Sequence, residues 1–156
     1  MNIFLLSWDV KKCAEYHCDK HVVKMILESA QLLCSPHWVL GKEAPYKLAH
    51  KNHPCSIWVR NSLSNYKYLC DLGLALCDEY TYRYGKIHKS KDVIEWCRSN
   101  LPNIEDKGVT APALAMPDHY KEKDPISSYR NYYRGDKSSF AHWKNREIPE
   151  WFLNGR

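Results

Sequence analysis

His17, His21, Lys24 and Glu28 are separated by four, three and four residues. On one continuous helix that spacing puts all four on a single face, because side chains three and four apart stack along the axis. Lys20 lies beside them. A carboxylate, two imidazoles and primary amines on a rigid element are the parts needed for acid–base or amine chemistry. The plain structural alternative is a solvated helix face in which Lys24 and Glu28 form an ordinary i,i+4 ion pair. The face does not read as a metal site. The two histidines lack the intervening glutamate of the metalloprotease motif, and Glu28 lies about three turns from His17. Neither a metal nor a cofactor is expected.

A second group of polar residues runs from His50 to Asn65. Asn52, His53 and Pro54 form a turn that leads into a helix carrying Trp58, Arg60, Asn61 and Asn65. A helix start exposes free N–H groups and favours an anion. Arg60 can grip a phosphate, and asparagine can bond a base edge. Equally, Asn52 and His53 can simply cap the helix while Trp58 packs in the core. A third group interleaves arginine and tyrosine: Tyr80 to Lys86, with Tyr82, Arg83 and Lys86, and Tyr129 to Arg134, with Arg130. Such runs suit a phosphate backbone with stacked bases. Tyr80 with Tyr84, or Tyr129 with Tyr133, can instead be i,i+4 pairs that pin helices together.

The elements that must position these groups are helical. Residues 2–7 are apolar and extended. Asp9 is placed to cap a helix running to about Cys34, with Ala14, Cys18, Val22, Met25, Ile26, Leu32 and Leu33 at helical spacing and Ser35-Pro36 as its stop. A loop over 36–54 follows. A second long helix is expected over Ser56–Tyr84, ended by Gly85, with Gly73 allowing a close helix contact. A shorter helix over Lys91–Ser99 comes next. Residues 100–123, with three prolines and a glycine, read as a long irregular segment. Asp124-Pro125 starts a last helix to about Tyr133. Trp143 and Trp151 are expected to pin the tail. The fold class is thus mainly α: one helical bundle over 1–156 with a short extended N-terminal segment and long irregular loops.

The 156 residues can bury a real core, and 44% hydrophobic with 26% charged residues excludes a disordered chain. No apolar run is long enough to span a bilayer, and the N-terminus has no basic or long apolar region of a signal peptide. Seven cysteines, an odd number with no C-x-x-C spacing, predict reduced thiols in the cytoplasm. The net charge of +5 favours an anionic partner. Eleven tyrosines and six tryptophans against three phenylalanines suit half-buried surfaces and stacking clefts, or an amphipathic core.

The order of these features resembles the small all-helical pyrimidine-dimer DNA glycosylases of the phage endonuclease V type and their bacterial relatives. Those proteins begin with a short apolar segment leading into a long helix with a catalytic carboxylate. Many then show an Asn-His-Pro turn, a helix and a basic–aromatic–Gly stretch. Here Asn52-His53-Pro54, with Arg60 six residues after the proline, precedes Tyr82-Arg83-Tyr84-Gly85-Lys86, and the likeness covers about residues 1–88. The segments Tyr16 to Glu28 and Thr110 to Arg134 also look like phage-type proteins of unassigned role, which brings no function.

The resemblance implies that an amine attacks C1′ of a damaged nucleotide, that a Schiff base forms with help from a carboxylate, and that β-elimination can then cut the strand. In the best-known member the amine is the N-terminal one, exposed on a small residue after methionine removal. Asn2 is large enough that Met1 stays, so the amine is that of Met1, or of Lys20 or Lys24. The carboxylate does not align cleanly among Glu15, Asp19 and Glu28; Glu28 shares the His/Lys face and is the choice, with Asp19 second. The catalytic set is then Met1, Glu28, Lys24, His17 and His21. The nucleic-acid set is Lys20, Asn52, His53, Arg60, Asn65, Tyr82, Arg83, Lys86 and Arg130.

The leading reading is a DNA N-glycosylase and abasic-site lyase acting on damaged or modified pyrimidines. The alternatives are an enzyme or binder of a small nucleotide without duplex DNA, and a non-catalytic binder. DNA or a nucleotide is the expected partner, with no membrane and no obligate protein partner. Alkylation of the unfolded chain without reductant should modify all seven cysteines. Intact mass showing three disulfides would contradict the reduced-thiol reading.

Overall fold

Asp9 opens the helical part of the chain, its carboxylate accepting the Lys11 and Lys12 amides at 3.0 and 3.4 Å. The structure, a computed structural model, describes residues 1–154. Residues 155 and 156, part of the domain expected from the sequence, lie outside the described residues. The fold is mainly α, with no strand among the described residues. The helices are α1 (Val10–Tyr16), α2 (Asp19–Val39), α3 (Pro54–Asn61), α4 (Leu63–Tyr84), α5 (Lys91–Ser99), α6 (Pro125–Tyr132) and α7 (Glu150–Asn154). A π-helical turn, Tyr133–Lys137, continues α6. None of these helices is long and apolar enough to cross a membrane.

The central helix is α4, which packs against α1, α2, α3 and α5. Its inner face carries Tyr66, Leu69, Cys70, Leu72, Leu76 and Cys77, all fully buried. Gly73 lets α5 approach closely, since an added Cβ would sit 3.0 Å from Ile94 Cδ1. The helix stops at Gly85, whose φ of 66° suits glycine. All seven cysteines are buried free thiols that fill this core as small apolar groups.

Three expected boundaries are corrected, each because distant residues supply the partners. The helix expected from Asp9 to Cys34 breaks at His17 and Cys18, both extended. The carbonyls freed there accept from remote side chains: Glu15 O from Arg83 at 2.9 Å, Tyr16 O from Trp143 Nε1 at 2.8 Å. The amides beyond the break are satisfied likewise, Cys18 N by the Tyr133 hydroxyl at 3.2 Å and Asp19 N by His142 O at 2.7 Å. The expected stop at Ser35-Pro36 is also overturned. Pro36 lies inside the last turn of α2, which His37 and Trp38 anchor through Tyr66 (2.9 Å) and Tyr46 O (2.7 Å).

The helix expected over Ser56–Tyr84 starts at Pro54 and breaks at Ser62. There Ser62 Oγ donates to Gly108 O and accepts the Lys107 amide, while the Leu63 amide bonds Glu105 O. The irregular segment 100–123 thus docks into the break, and its later part reaches the extended N-terminal segment. Ala115 O accepts from Asn2 Nδ2 at 2.9 Å, and the Tyr129 hydroxyl lies 2.9 Å from Asn2 Oδ1. Trp143 is buried, as expected, whereas Trp151 is half-buried.

Arg83 joins these parts. Its side chain has no exposed surface and donates to Glu79 at 2.7 Å and Asp19 at 3.0 Å besides Glu15 O. Glu79 is shared with Arg146 of the tail at 2.9 Å. Removing one partner of such a buried network leaves a charge uncompensated. Arg83→Met should therefore destabilise the fold by about 3–5 kcal/mol in urea unfolding. A loss below about 1 kcal/mol would show that the network carries no structural weight.

Candidate active site

Residues 1–6 run extended across the bundle, with Phe4, Leu5 and Leu6 buried. Asn2 fixes the start of this extended segment through Ala115 and Tyr129, which carries Met1 onto the face of α2 that bears Glu28. The Met1 α-amine lies 3.4 Å from Glu28 Oε1, and the Asn2 amide donates to the same oxygen at 3.0 Å. Lys24 Nζ stands 3.8 Å from Oε2, one helical turn earlier. Glu28 is 90% shielded, while Lys24 keeps 65% of its side chain in solvent. An amine, a shielded carboxylate and a flanking cation thus share one spot.

This spot opens into a cavity of about 140 Å³ lined by Met1, Asn2, Phe4, His21, Lys24, Met25, Glu28, Tyr132 and Lys137. His21 stacks on Phe4, with ring centroids 4.2 Å apart, and its Nδ1 is 2.6 Å from the Tyr133 hydroxyl. That hydroxyl also accepts the Cys18 amide and lies 3.7 Å from Cys18 Sγ. Burial first, then the charges of His17, Lys137, Lys24 and Lys20, hold His21 well below the usual imidazole range. It is neutral at pH 7 rather than a cation.

His17 does not join the stripe. The break before α2 places it at the end of α1, outside the cavity lining. Its Nδ1 donates to Cys13 O at 2.7 Å, and its Nε2 is buried with no partner among the described residues. Burial, reinforced by the Arg83 charge, pushes it down to about 4. Lys20 is exposed, with Nζ 4.7 Å from the Phe140 ring centre.

His53 caps α3, its Nδ1 accepting the Cys55 amide at 3.1 Å. Its charge is disfavoured by burial and by the N-terminal amine, and favoured by Glu28. Asn52 is exposed in that turn. Arg60 is turned back to clamp it, with Nη1 2.6 Å from Lys51 O and 3.3 Å from Ser56 Oγ. The expectation of a phosphate grip by Arg60 is corrected to that extent.

Two members of the nucleic-acid set are not on the surface at all. Arg83 is the buried hub described above, and its expected DNA contact is withdrawn. Asn65 is fully buried, with Trp58 O, the Thr110 hydroxyl and the Thr110 amide on its side chain at 2.9, 2.8 and 2.9 Å. It holds loop 100–123 and reads no base. Tyr82 is exposed but lies under Arg146, 4.0 Å from its ring centre, and donates to Asn145 O. Lys86 is exposed. Arg130 lies in a separate groove of about 680 Å³ beside Lys12, Tyr16 and Trp151, with Nε donating to Leu6 O at 3.1 Å.

The expected site set leaves out Phe4, Tyr132, Tyr133 and Lys137, although Tyr132 and Tyr133 lie in the Tyr129 to Arg134 run. Lys137 closes a π-helical turn, which breaks the 3.6-residue spacing by which helix faces are read. Among the described residues no three His, Cys, Asp or Glu side chains stand close enough to hold a metal ion. A family model described as pyrimidine dimer DNA glycosylase matches residues 1–93. No curated protein and no solved structure matches the chain.

The buried histidines make stability depend on pH. A folded-state pKa below the unfolded value near 6.5 means that the unfolded chain binds more protons as pH falls. The contribution of His17 is complete above about pH 6.5 and is lost as pH drops toward about 4. Melting temperature should fall by about 5 °C or more between pH 7 and 4.5, and His17→Asn should fall by less. Equal falls for both proteins would contradict the buried neutral imidazole.

Proposed function

This chain belongs to the pyrimidine dimer DNA glycosylase family, and we propose that it excises a damaged pyrimidine by attack of the Met1 α-amine on C1′, with Glu28 as its acid–base partner. The family is one of DNA glycosylases, so DNA is the substrate class. The observation that carries the mechanism is the 3.4 Å approach of the α-amine to a shielded glutamate at the edge of a cavity. An α-amine starts near 7.7–8.0 in reference peptides, about two and a half units below a lysine, so more of it is unprotonated at neutral pH. Lys24 is exposed and paired with Glu28, which makes it the poorer nucleophile.

The amine lone pair forms a bond to C1′, and the C1′–N bond breaks with its pair leaving on the base, which takes up a proton. Glu28 accepts the proton lost by the amine and returns one to O4′ as the sugar ring opens, giving an imine between Met1 and C1′. Loss of a C2′ hydrogen then expels the 3′ phosphate and cuts the strand. His21, neutral and in the cavity wall, hydrogen-bonds the sugar there. Lys20 and Lys86, both exposed, and Asn52 at the turn are the surface contacts to the DNA backbone.

Borohydride should trap a covalent adduct with a duplex bearing one abasic site. Glu28→Gln should bind that duplex with unchanged affinity and turn over about 10²- to 10⁴-fold more slowly. Turnover by Glu28→Gln at the wild-type rate would remove the carboxylate from the mechanism. No adduct with any abasic or damaged duplex would overturn the reading in favour of a small-nucleotide enzyme.

A further inference from the structure

Lys137 brings a charge to the cavity from outside the stretch that matches the family, which ends at residue 93. It closes the π-helical turn that begins with Tyr133, the partner of His21. Such turns are rare and recur at functional sites. The turn is held in place on its outer side by the Tyr120 hydroxyl, which donates to Asp136 at 2.6 Å.

The ammonium of Lys137 is held by aromatic faces. It lies 4.7 Å from the Tyr132 ring centre, 5.8 Å from Phe4 and 5.9 Å from Phe140. Ring faces hold a cation in position without cancelling its charge. Glu28 is the one carboxylate among the described lining residues, and it is taken by the Met1 amine and Lys24. Among the described residues no carboxylate lies within ion-pairing distance of Lys137. The cavity therefore presents an oriented, unneutralised cation on a wall separate from α2. That arrangement fits an anion attached to whatever sugar lies against the amine.

We propose that Lys137 binds the phosphate on the 3′ side of the attacked nucleotide and neutralises it as it leaves during strand scission. The proposal rests on the amine mechanism given above. In the step concerned, a base takes a hydrogen from C2′, and the electrons of that C–H bond form the C2′–C3′ double bond. The C3′–O3′ bond breaks, and its pair goes to the departing phosphate monoester, which gains negative charge. Lys137 keeps its proton and meets that charge. Formation of the imine at C1′ releases no phosphate, so it does not need this lysine.

The test separates the two steps. Wild type, Lys137→Met and Lys137→Arg are each mixed in excess with an end-labelled duplex carrying a single abasic site. Borohydride trapping and strand scission are then timed in single turnover. Lys137→Met should slow strand scission about 10- to 100-fold more than it slows trapping, with Lys137→Arg recovering most of that difference. Scission by Lys137→Met at the wild-type rate overturns the role of the lysine while leaving the amine mechanism intact. Equal loss of trapping and scission in a variant with wild-type melting also overturns it, as a general binding contact would do this. Failure of the wild-type chain to trap at all overturns the amine mechanism, and the role of Lys137 with it.

Discussion

Arg83 uses three nitrogens to tie Glu15 O, Asp19 and Glu79 together inside the bundle. Glu15 O lies before the break between α1 and α2, Asp19 just after it, and Glu79 on the central helix. Unpaired backbone groups cannot be left in such a place, since each would cost the desolvation of a polar group. The arginine, with Trp143, Tyr133 and His142, supplies what the break needs. The direction of α2 follows from it, and so does the face on which Glu28, Lys24 and His21 appear. The tail is held through the same glutamate by Arg146, so residues from both ends of the chain frame one corner.

The second consequence is at the N-terminus. The extended segment over residues 1–6 belongs to no sheet, so its polar groups must find other partners. Asn2 does this with Ala115, Tyr129 and Glu28, which fixes Met1 beside the carboxylate. Glu28 is shielded yet receives an amine, an amide and a lysine around its two oxygens. The loop over 100–123, which looks structureless in sequence, is the cradle that keeps this geometry.

Helical periodicity made the helical class and most of the buried residues legible, because apolar spacing reports directly on burial. Asp9 and Asp124 as caps, Gly85 as a stop and Gly73 as a contact point follow from local chemistry in the same way. The breaks at His17 and Ser62 were not legible. Their partners lie more than forty residues away, at Arg83, Trp143, Gly108 and Lys107, and no local rule names them. For that reason the four-residue stripe lost His17 while keeping His21, Lys24 and Glu28 on one cavity. The arginine–tyrosine runs illustrate the opposite error. Arg83 reads as a surface cation by composition, but two acids on separate helices draw it inside. Lys137 went unread because its turn is π-helical and its neighbours are rings, not charges.

The account turns on which nitrogen bonds C1′. Peptide mapping by mass spectrometry of the borohydride-reduced adduct with an abasic-site duplex answers that directly. The account predicts the sugar mass on the α-nitrogen of Met1, in the peptide that begins with Met1-Asn2-Ile3. Modification of Lys20, Lys24 or Lys137, with the Met1 amine untouched, would contradict it.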